Sequence, residues 1–189
     1  TLKYAIFSKK IFRWKTPIIF RNASEVGRYL NSNLQKKLNL YFYKNVAGVA
    51  SVSQASKKDL LIHFPYLRDI TRVIPIGLEE KELKTSFQFQ PGSYKHIIHV
   101  GGFSFEKNHL GLIEIFKSVK SIKGNTKLHL IGDGQLRGAV EKQVEIEGLQ
   151  DDVNFYGYVN NPLDFIGAAN VLVLPSSIEG LPGVLLEAM

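Results

Sequence analysis

The stretch Val171-Leu-Val-Leu-Pro-Ser-Ser-Ile-Glu179-Gly-Leu-Pro-Gly-Val-Leu-Leu-Glu187-Ala-Met189 decides the class of fold that the sequence predicts. Its apolar run at 171–174 predicts a buried strand, and the Pro-Ser-Ser that follows predicts the turn leaving that strand. The helix formers after Gly183 predict the start of a helix. Strand, small polar turn, glycine and helix, in this order, are typical of the carboxyl edge of a parallel sheet, where α/β proteins bind ligands.

Glu179 and Glu187 stand eight positions apart in this stretch. We expect Glu179 on the loop and Glu187 about two turns into the helix, both reaching toward the crevice at the sheet edge. The backbone N–H groups of 180–184 would lack partners inside the helix, and the helix dipole would favour an anion there. The two carboxylates are interpreted as a general acid/base pair, as ordinary surface carboxylates, or as acceptors of hydrogen bonds from sugar hydroxyls. The third interpretation suits their surroundings best.

A second candidate site follows the strand predicted at 95–100, where Gly101 and Gly102 precede Lys107 and a predicted helix. Glycines let a backbone approach an anion closely, and a lysine at a helix start adds positive charge, so this turn resembles a phosphate cradle. It lacks the Gly-x-x-x-x-Gly-Lys-Ser/Thr pattern of a Walker loop. The competing interpretation is that the two glycines only serve the geometry of a tight turn between strand and helix. Among the histidines, only His109 is expected near this site.

Short apolar runs alternate with amphipathic stretches along the chain, which is typical of an α/β fold with parallel sheets. The predicted strands are 16–20, 46–52, 72–76, 95–100, 127–131, 153–156 and 171–174. The predicted helices lie within 22–44, 53–64, 110–119, 135–147 and 162–166, with Ser53 as an N-cap. The polar stretch 79–93 predicts a linker between a first domain, 1–78, and a second domain, 94–189.

The composition limits the classes of protein and of site. The 189 residues suffice for one ordinary domain or two small ones, and 44% of them are apolar, which suits a packed core. No stretch approaches the roughly 18 uncharged apolar residues of a membrane span. The chain has no cysteine, which excludes disulfides and thiolate metal sites and suits a reducing cytoplasm. No pair of histidines has metal-ligand spacing with a supporting carboxylate, so we expect no metal site.

The positive charge is concentrated in the first fifty residues, which are also rich in Phe and Tyr. Of the net charge of +7, this part carries +9 and the rest carries −2. Its bases, set against the single acid Glu25, are Lys3, Lys9, Lys10, Arg13, Lys15, Arg21, Arg28, Lys36, Lys37 and Lys44. A solubilising face, contact with an anionic membrane and nucleic-acid binding would each account for such a patch. No RNA- or DNA-reading motif accompanies it, so we expect no nucleic-acid partner.

Taken in order, these segments resemble the GT-B glycosyltransferases of family 4, a retaining and nucleotide-sugar-dependent group. The resemblance extends from about position 46 to the last residue, and the ordered set of motifs is specific where any single motif is not. The motifs are Val49-Ala-Ser-Val-Ser53, Lys57-Lys-Asp-Leu60, Arg72-Val-Ile-Pro-Ile-Gly77, His99-Val-Gly-Gly-Phe-Ser-Phe-Glu-Lys-Asn108, Leu130-Ile-Gly-Asp-Gly134, Phe155-Tyr-Gly-Tyr-Val159 and the terminal stretch from Pro175. The resemblance implies two Rossmann-like domains that face each other across a cleft. Both would be incomplete here, so we expect this sequence to be part of a longer chain.

The resemblance also implies roles for individual residues. Lys107 and the backbone of Gly101 and Gly102 would hold the diphosphate, and the backbone near Val159 would meet the base. Glu179 would bind the donor sugar hydroxyls, and Glu179 and Lys107 are the implied catalytic residues. The loop residues that accompany Glu179 are Gly180, Leu181, Pro182 and Gly183. Glu187 would bind the ribose, with Val184 and Leu185 packing beside it.

No cofactor is implied, because positive groups and a helix dipole take the place of a metal ion in such enzymes. Two positions depart from the family pattern. Gly102 stands where the family often has an arginine that pairs with the lysine on the phosphates. Arg21-Asn22 stands where the family tends to have an acceptor-side histidine.

The expected function is transfer of a hexose-type sugar, with retention, from a nucleotide-diphosphate-sugar to a glycan or lipid-linked acceptor. Such a reaction serves the synthesis of cell-surface polysaccharide or glycolipid. We expect the protein in the cytoplasm, at the inner face of the membrane, with peripheral membrane contact through its basic N-terminal half. The alternatives are a nucleotide-sugar epimerase of the same fold, recognised by a free sugar epimer as product, and a non-catalytic nucleotide-binding protein, recognised by binding without turnover.

Overall fold

A computed structural model describes residues 2–77, 87–89 and 92–189. These residues form two compact units. The first holds the described residues up to Gly77 together with Ile178–Leu181, and the second holds those from 87 to Ser177 together with Pro182–Met189. The linker predicted at 79–93 lies for the most part outside the described residues.

The first unit is built on a parallel sheet of three described strands in the order β1-β2-β3. The strands are β1 (Ile19–Asn22), β2 (Gly48–Ser51) and β3 (Thr71–Val73). The helices are α1 (Leu2–Ile11), α2 (Asn33–Tyr43) and α3 (Gln54–His63), with 3-10 turns at Val26–Tyr29 and Pro65–Ile70. The helix α1 was not predicted from the sequence. The first strand begins later than predicted because Pro17 has no N–H to give to the ladder.

Local capping explains where the helices of this unit begin. The helix predicted within 22–44 is interrupted, because Ser32 caps α2 by accepting a hydrogen bond from the N–H of Gln35 at 3.2 Å. Ser53 caps α3 as predicted and forms a reciprocal capping box with Ser56. The core of the unit consists of Ile6, Val26, Tyr43, Val46, Val49, Leu60, Phe64 and Leu67.

The second unit is built on a parallel sheet whose described strands have the order β6-β5-β4-β7. The strands are β4 (Lys95–Val100), β5 (Thr126–Ile131), β6 (Val153–Gly157) and β7 (Val171–Leu172). The helices are α4 (His109–Ile122), α5 (Arg137–Ile146), α6 (Pro162–Ala168) and α7 (Gly183–Glu187), with a 3-10 turn at Phe105–Lys107. The chain moves outward from β4 through β5 to β6 and then returns to the other side of β4. The switch point, where such sheets bind ligands, therefore lies between β4 and β7.

The helices α4 and α5 cover one face of this sheet around Phe103, Ile113, Phe116, Leu128 and Val140. The strand predicted at 171–174 is shorter than expected and is not fully buried. Only two of its residues pair with β4, and Val171 is 51% exposed. The reason is its place at the edge of the described sheet, where one flank of β7 has no neighbour.

A chain of polar rings lies within the same unit. His96 Nδ1 and His129 Nε2 are 2.9 Å apart, and the hydroxyl of Tyr156 is 2.9 Å from His129 Nδ1. Phe89 stacks on His129 with ring centres 3.9 Å apart. His129 is buried, and burial, followed by the repulsion of His96 and Lys127, lowers the pKa of His129 to about 4. The imidazole is therefore neutral at neutral pH.

We predict that His129 makes the fold labile in mild acid. In the unfolded chain its imidazole takes up a proton near pH 6.5, whereas in the folded chain it does so only near pH 4. Its contribution to stability is present above pH 6.5 and is lost as the pH falls toward 4, by on the order of 3 kcal/mol. Urea unfolding at about pH 7 and about pH 4.5 measures this loss. His129→Gln should lose less stability between the two conditions than the wild type, and an equal loss would contradict the prediction.

Candidate functional site

The turn after β4 places a lysine against a glycine at the switch point of the sheet. The N–H of Gly101 donates to the carbonyl of Ile131 at 2.9 Å, which fixes this turn to the end of β5. A methyl group on Gly101 would lie 3.4 Å from both Cδ and Cε of Lys107, so the lysine stem packs over the bare backbone. The structure thus brings together Gly101 and Lys107, two of the residues predicted for a phosphate cradle.

A second glycine turn, after β5, is bonded to the first. The N–H of Phe103 donates to the carbonyl of Asp133 at 3.0 Å, and the N–H of Leu136 donates to the carbonyl of Phe103 at 3.1 Å. Two glycines permit this approach. Gly132 has φ of +124° and a methyl group there would collide with the carbonyl of Gly101, while one on Gly134 would lie 2.6 Å from the Phe103 carbonyl oxygen.

The two turns line an open cavity of about 450 Å³. Its lining residues are Gly102, Phe103, Ser104, Phe105, Glu106, Asp133, Gly134, Gln135 and Leu136. The N–H of Gly134 and the guanidinium of Arg137 both donate to the carboxylate of Asp133, which lowers the pKa of that group. Gly102 is exposed on the cavity wall, with space for a side chain.

The end of β6 continues this row of turns toward Val159. The N–H of Gly132 donates to the carbonyl of Gly157 at 2.8 Å, and Gly157 has φ of +67°. Val159 follows two residues later and is half-buried. Backbone hydrogen bonds therefore connect the candidate phosphate turn at Gly101 with the segment predicted to meet a base.

The segment that leaves β7 lies against the other side of the lysine turn. The side-chain amide of Asn108 donates to the carbonyl of Pro175 at 3.2 Å, and the N–H of Ser177 donates to the carbonyl of Glu106 at 2.7 Å. His99 Nδ1 lies 2.8 Å from the carbonyl of Val173 and therefore donates to it, since a carbonyl only accepts. Asn108 was not predicted as a site residue, although an asparagine directly before a helix is a recognisable capping signal.

The terminal motif is divided between the two units. Glu179, Gly180 and Leu181 belong to the first unit, whereas Pro182 to Glu187 belong to the second, so the two predicted carboxylates do not lie on one unit. A methyl group on Gly180 would collide with the carbonyl of Ala23, so glycine is required at this approach. Glu187 is exposed and ends the five-residue helix α7, which contains Gly183, Val184 and Leu185.

His109 and Asn22 are both buried and have structural surroundings that the sequence did not predict. His109 is near the site as predicted, but its ring is buried and stacks on Phe103 with centres 4.0 Å apart. Burial, followed by the repulsion of His99 and Lys107, lowers the pKa of His109 to about 3, so it is neutral. Asn22 is also buried, and its amide donates to the carbonyl of Ser56 at 3.0 Å.

Within the described ranges, no group of three or more His, Cys, Asp or Glu side chains is arranged to hold a metal ion.

Comparison with known proteins places this architecture among the GT-B glycosyltransferases. Over 99% of its length the chain superposes on HepE of Anabaena, solved in complex with UDP-glucose, with a TM-score of 0.79, 17% identity and 54% of that chain covered. At this identity the likeness establishes the fold, which is α/β with parallel sheets.

Comparison of the sequence with known families and proteins establishes the family of this chain. Residues 80–189 match the model of the family described as glycosyl transferases group 1, and the chain belongs to that family. It is 31% identical over 157 residues to an uncharacterized glycosyltransferase of Methanocaldococcus jannaschii, covering 79% of this chain and 39% of that protein. It is 34% identical over 178 residues to a Campylobacter jejuni α-1,4-N-acetyl-D-galactosaminyltransferase named for a diphospho-undecaprenol-linked substrate, covering 93% of this chain and 47% of that protein. The chain thus spans less than half the length of these relatives.

We predict that Gly134→Ala disrupts the paired turns, whereas Gly102→Ala does not. The added methyl would lie 2.6–2.8 Å from backbone atoms of Phe103 at the first position and 3.6 Å from the Asp133 carbonyl at the second. Overpacking of this kind costs about 1–3 kcal/mol, and backbone atoms have little room to yield. Thermal and urea unfolding of both variants checks the difference. Equal stabilities would show that the contact between the turns does not constrain residue 134.

Proposed function

We propose that this chain supplies the nucleotide-sugar site of a retaining glycosyltransferase of family 4. The observation that carries the proposal is the packing of Lys107 over Gly101 at the switch point between β4 and β7. An ammonium group beside a glycine suits a diphosphate, since phosphate oxygens accept from the ammonium and a glycine lets them come close to the chain. The fourteen-residue helix α4 begins two residues after Lys107, so its dipole adds positive potential at the same place.

The remaining donor contacts are proposed from the family pattern. Val159 follows Gly157 in the row of bonded turns, and we assign the base to the backbone there. We assign the ribose to Glu187, beside Val184 and Leu185 of α7. The donor sugar hydroxyls are assigned to Glu179 with the loop Gly180, Leu181, Pro182 and Gly183. The solved neighbour that holds UDP-glucose supports a hexose on a nucleoside diphosphate as the donor class.

The proposed reaction transfers the sugar to a glycan or lipid-linked acceptor with retention of configuration. The bond between the anomeric carbon and the diphosphate oxygen breaks, and the acceptor oxygen attacks the same face of the sugar. The leaving phosphate takes the proton of the acceptor hydroxyl. We propose that Lys107 and the dipole of α4 stabilise the negative charge that develops on the phosphate without a metal ion. The diphospho-undecaprenol in the name of the Campylobacter relative supports a lipid-linked acceptor and a role in glycan assembly.

Calorimetry of the full-length protein against UDP, GDP and ADP, and against their nucleosides, tests the assignment of Lys107. Lys107→Ala should weaken the preferred diphosphate about tenfold or more, because a charge-assisted contact is lost, and should leave the nucleoside unchanged. Lys123→Ala, an exposed lysine after the other end of α4, is the matched control and should change neither. Glu187→Ala should weaken nucleoside and diphosphate alike. If Lys107→Ala weakens both ligand classes equally, the phosphate assignment is wrong.

We also propose that the first unit contacts an anionic membrane surface from the cytoplasm. The segment around α1 exposes Tyr4, Phe12 and Trp14, residues that are 65%, 69% and 49% exposed. Bases alternate with these rings, and the only acid among the first fifty residues is Glu25. Aromatic rings favour the headgroup region, and each nearby base adds about 1 kcal/mol of attraction to anionic lipid. None of the helices in the described part of the chain has the length and apolarity that a membrane span requires.

Neutralising Lys9, Lys10, Arg13 and Lys15 together should reduce partitioning onto vesicles that contain phosphatidylglycerol, and the wild type should partition less as salt rises. Neutral phosphatidylcholine vesicles should bind neither protein strongly. The matched control neutralises four bases of the same unit that lie outside the first fifty residues, which are Lys57, Lys58, Arg68 and Arg72. Unchanged partitioning of the first variant, or an equal loss in the control, would count against the membrane contact.

A further inference from the structure

Asn108, the residue after Lys107, holds a backbone conformation that few side chains accept. Its φ and ψ are 52° and 47°, in the left-handed region, and it joins the 3-10 turn Phe105–Lys107 to the start of α4. Most L-residues pay about 1–2 kcal/mol to enter this region, and asparagine is among those that enter it most readily. The direction in which the chain presents Lys107 therefore depends on this position.

The side chain of Asn108 also links two elements of the sheet edge. Its Oδ1 accepts from the N–H of Gly111 at 3.3 Å, which caps α4, while its Nδ2 donates to the carbonyl of Pro175 at 3.2 Å. One amide thus ties the first turn of α4 to the segment that leaves β7. Beside it, the N–H of Ser177 donates to the carbonyl of Glu106, so the residues on both sides of Lys107 are held against that segment.

Gly111 gives the amide room to form both bonds. A methyl group on Gly111 would lie 2.6 Å from Nδ2 and 2.8 Å from Oδ1 of Asn108, closer than non-bonded atoms approach. Alanine at 111 would therefore displace the amide while leaving the asparagine in place. This offers a way to break the link without changing the residue that makes it.

We propose that Asn108 is a positioning residue that fixes Lys107 for the phosphates by bridging α4 and the segment that leaves β7. The inference rests on the proposed binding of a nucleoside diphosphate at Lys107. Asn108 acts through that lysine, so its loss weakens the part of the affinity that depends on phosphate. Helix capping alone would instead affect stability without distinguishing the two parts of the ligand.

Calorimetry on the full-length protein tests this with the tightest of UDP, GDP and ADP and with its nucleoside. Asn108→Gly keeps the left-handed backbone, and Gly111→Ala keeps the asparagine. Each should weaken the diphosphate about tenfold, the equivalent of one hydrogen bond, and leave the nucleoside unchanged. In turnover assays both should raise the KM for the nucleotide-sugar.

Gly138→Ala in α5 is the matched control, because nothing lies within 4 Å of a methyl group there. Alanine is the better helix former by about 1 kcal/mol, so Gly138→Ala should harm neither stability nor affinity. A capping role alone predicts that Gly111→Ala, which displaces the cap, lowers stability without distinguishing diphosphate from nucleoside. Asn108→Asp retains the cap acceptor but loses the donor to Pro175. The Asn108→Asp variant should still bind the diphosphate more weakly than the wild type in about 1 M salt, where repulsion between the new carboxylate and the phosphates is largely screened.

The measurements distinguish a failure of the positioning role of Asn108 from a failure of the proposed function. If Lys107→Ala alone selectively weakens the diphosphate, while Asn108→Gly and Gly111→Ala bind like the wild type, the positioning role is wrong and the proposed function stands. If nucleoside and diphosphate affinities fall together with the melting temperature, Asn108 is only structural. If Lys107→Ala has no selective effect, or the wild type binds none of the three diphosphates, the proposed function fails and this inference with it.

Discussion

The sheet edge of the second unit depends on the contact between two turns through their backbones, at a place where two glycines permit a close approach. Gly132 and Gly134 let the chain after β5 approach the chain after β4, and Phe103 bonds to that turn through both its N–H and its carbonyl. Phe103 is buried and belongs to the same core as α4 and α5. The hydrophobic core therefore holds the position of backbone atoms at the sheet edge, and rigidity at this edge is what a binding site needs.

The electrostatics near Lys107 follow from the layer beneath it. His99 lies under Gly101, since a methyl group on that glycine would be 3.1 Å from its Nε2, and His109 packs against His99 with ring centres 4.6 Å apart. The low pKa of His109 follows first from burial, so its ring adds no charge at neutral pH. The positive charge at this turn is then that of Lys107. A protonated imidazole beneath the lysine would be repelled by it and would have to lose its hydration.

The sequence predicted most of the strands and the glycine turns because these follow from local rules. The strand at Lys95–Val100 has the predicted bounds, and Ser53 caps the helix that was assigned to it. Other features depend on partners distant in the chain. Asn108 bonds to Pro175, sixty-seven positions away, and α1 is anchored to the first core through the buried Ile6. No periodicity in a single segment contains such information, and for the same reason the division of Glu179 from Glu187 between units was not foreseen.

Asn22 stands where the resemblance implies an acceptor-side histidine, and it has a structural role in the first unit. Asn22 is the last residue of β1, and its buried amide donates to Ser51 at the end of β2 and to Ser56 in α3. These bonds join three elements, and a buried amide that lost them would be costly. Asn22 therefore serves the scaffold and is not placed to exchange protons with a substrate. The proposed reaction would not require it to do so, because in that proposal the acceptor proton passes to the leaving phosphate.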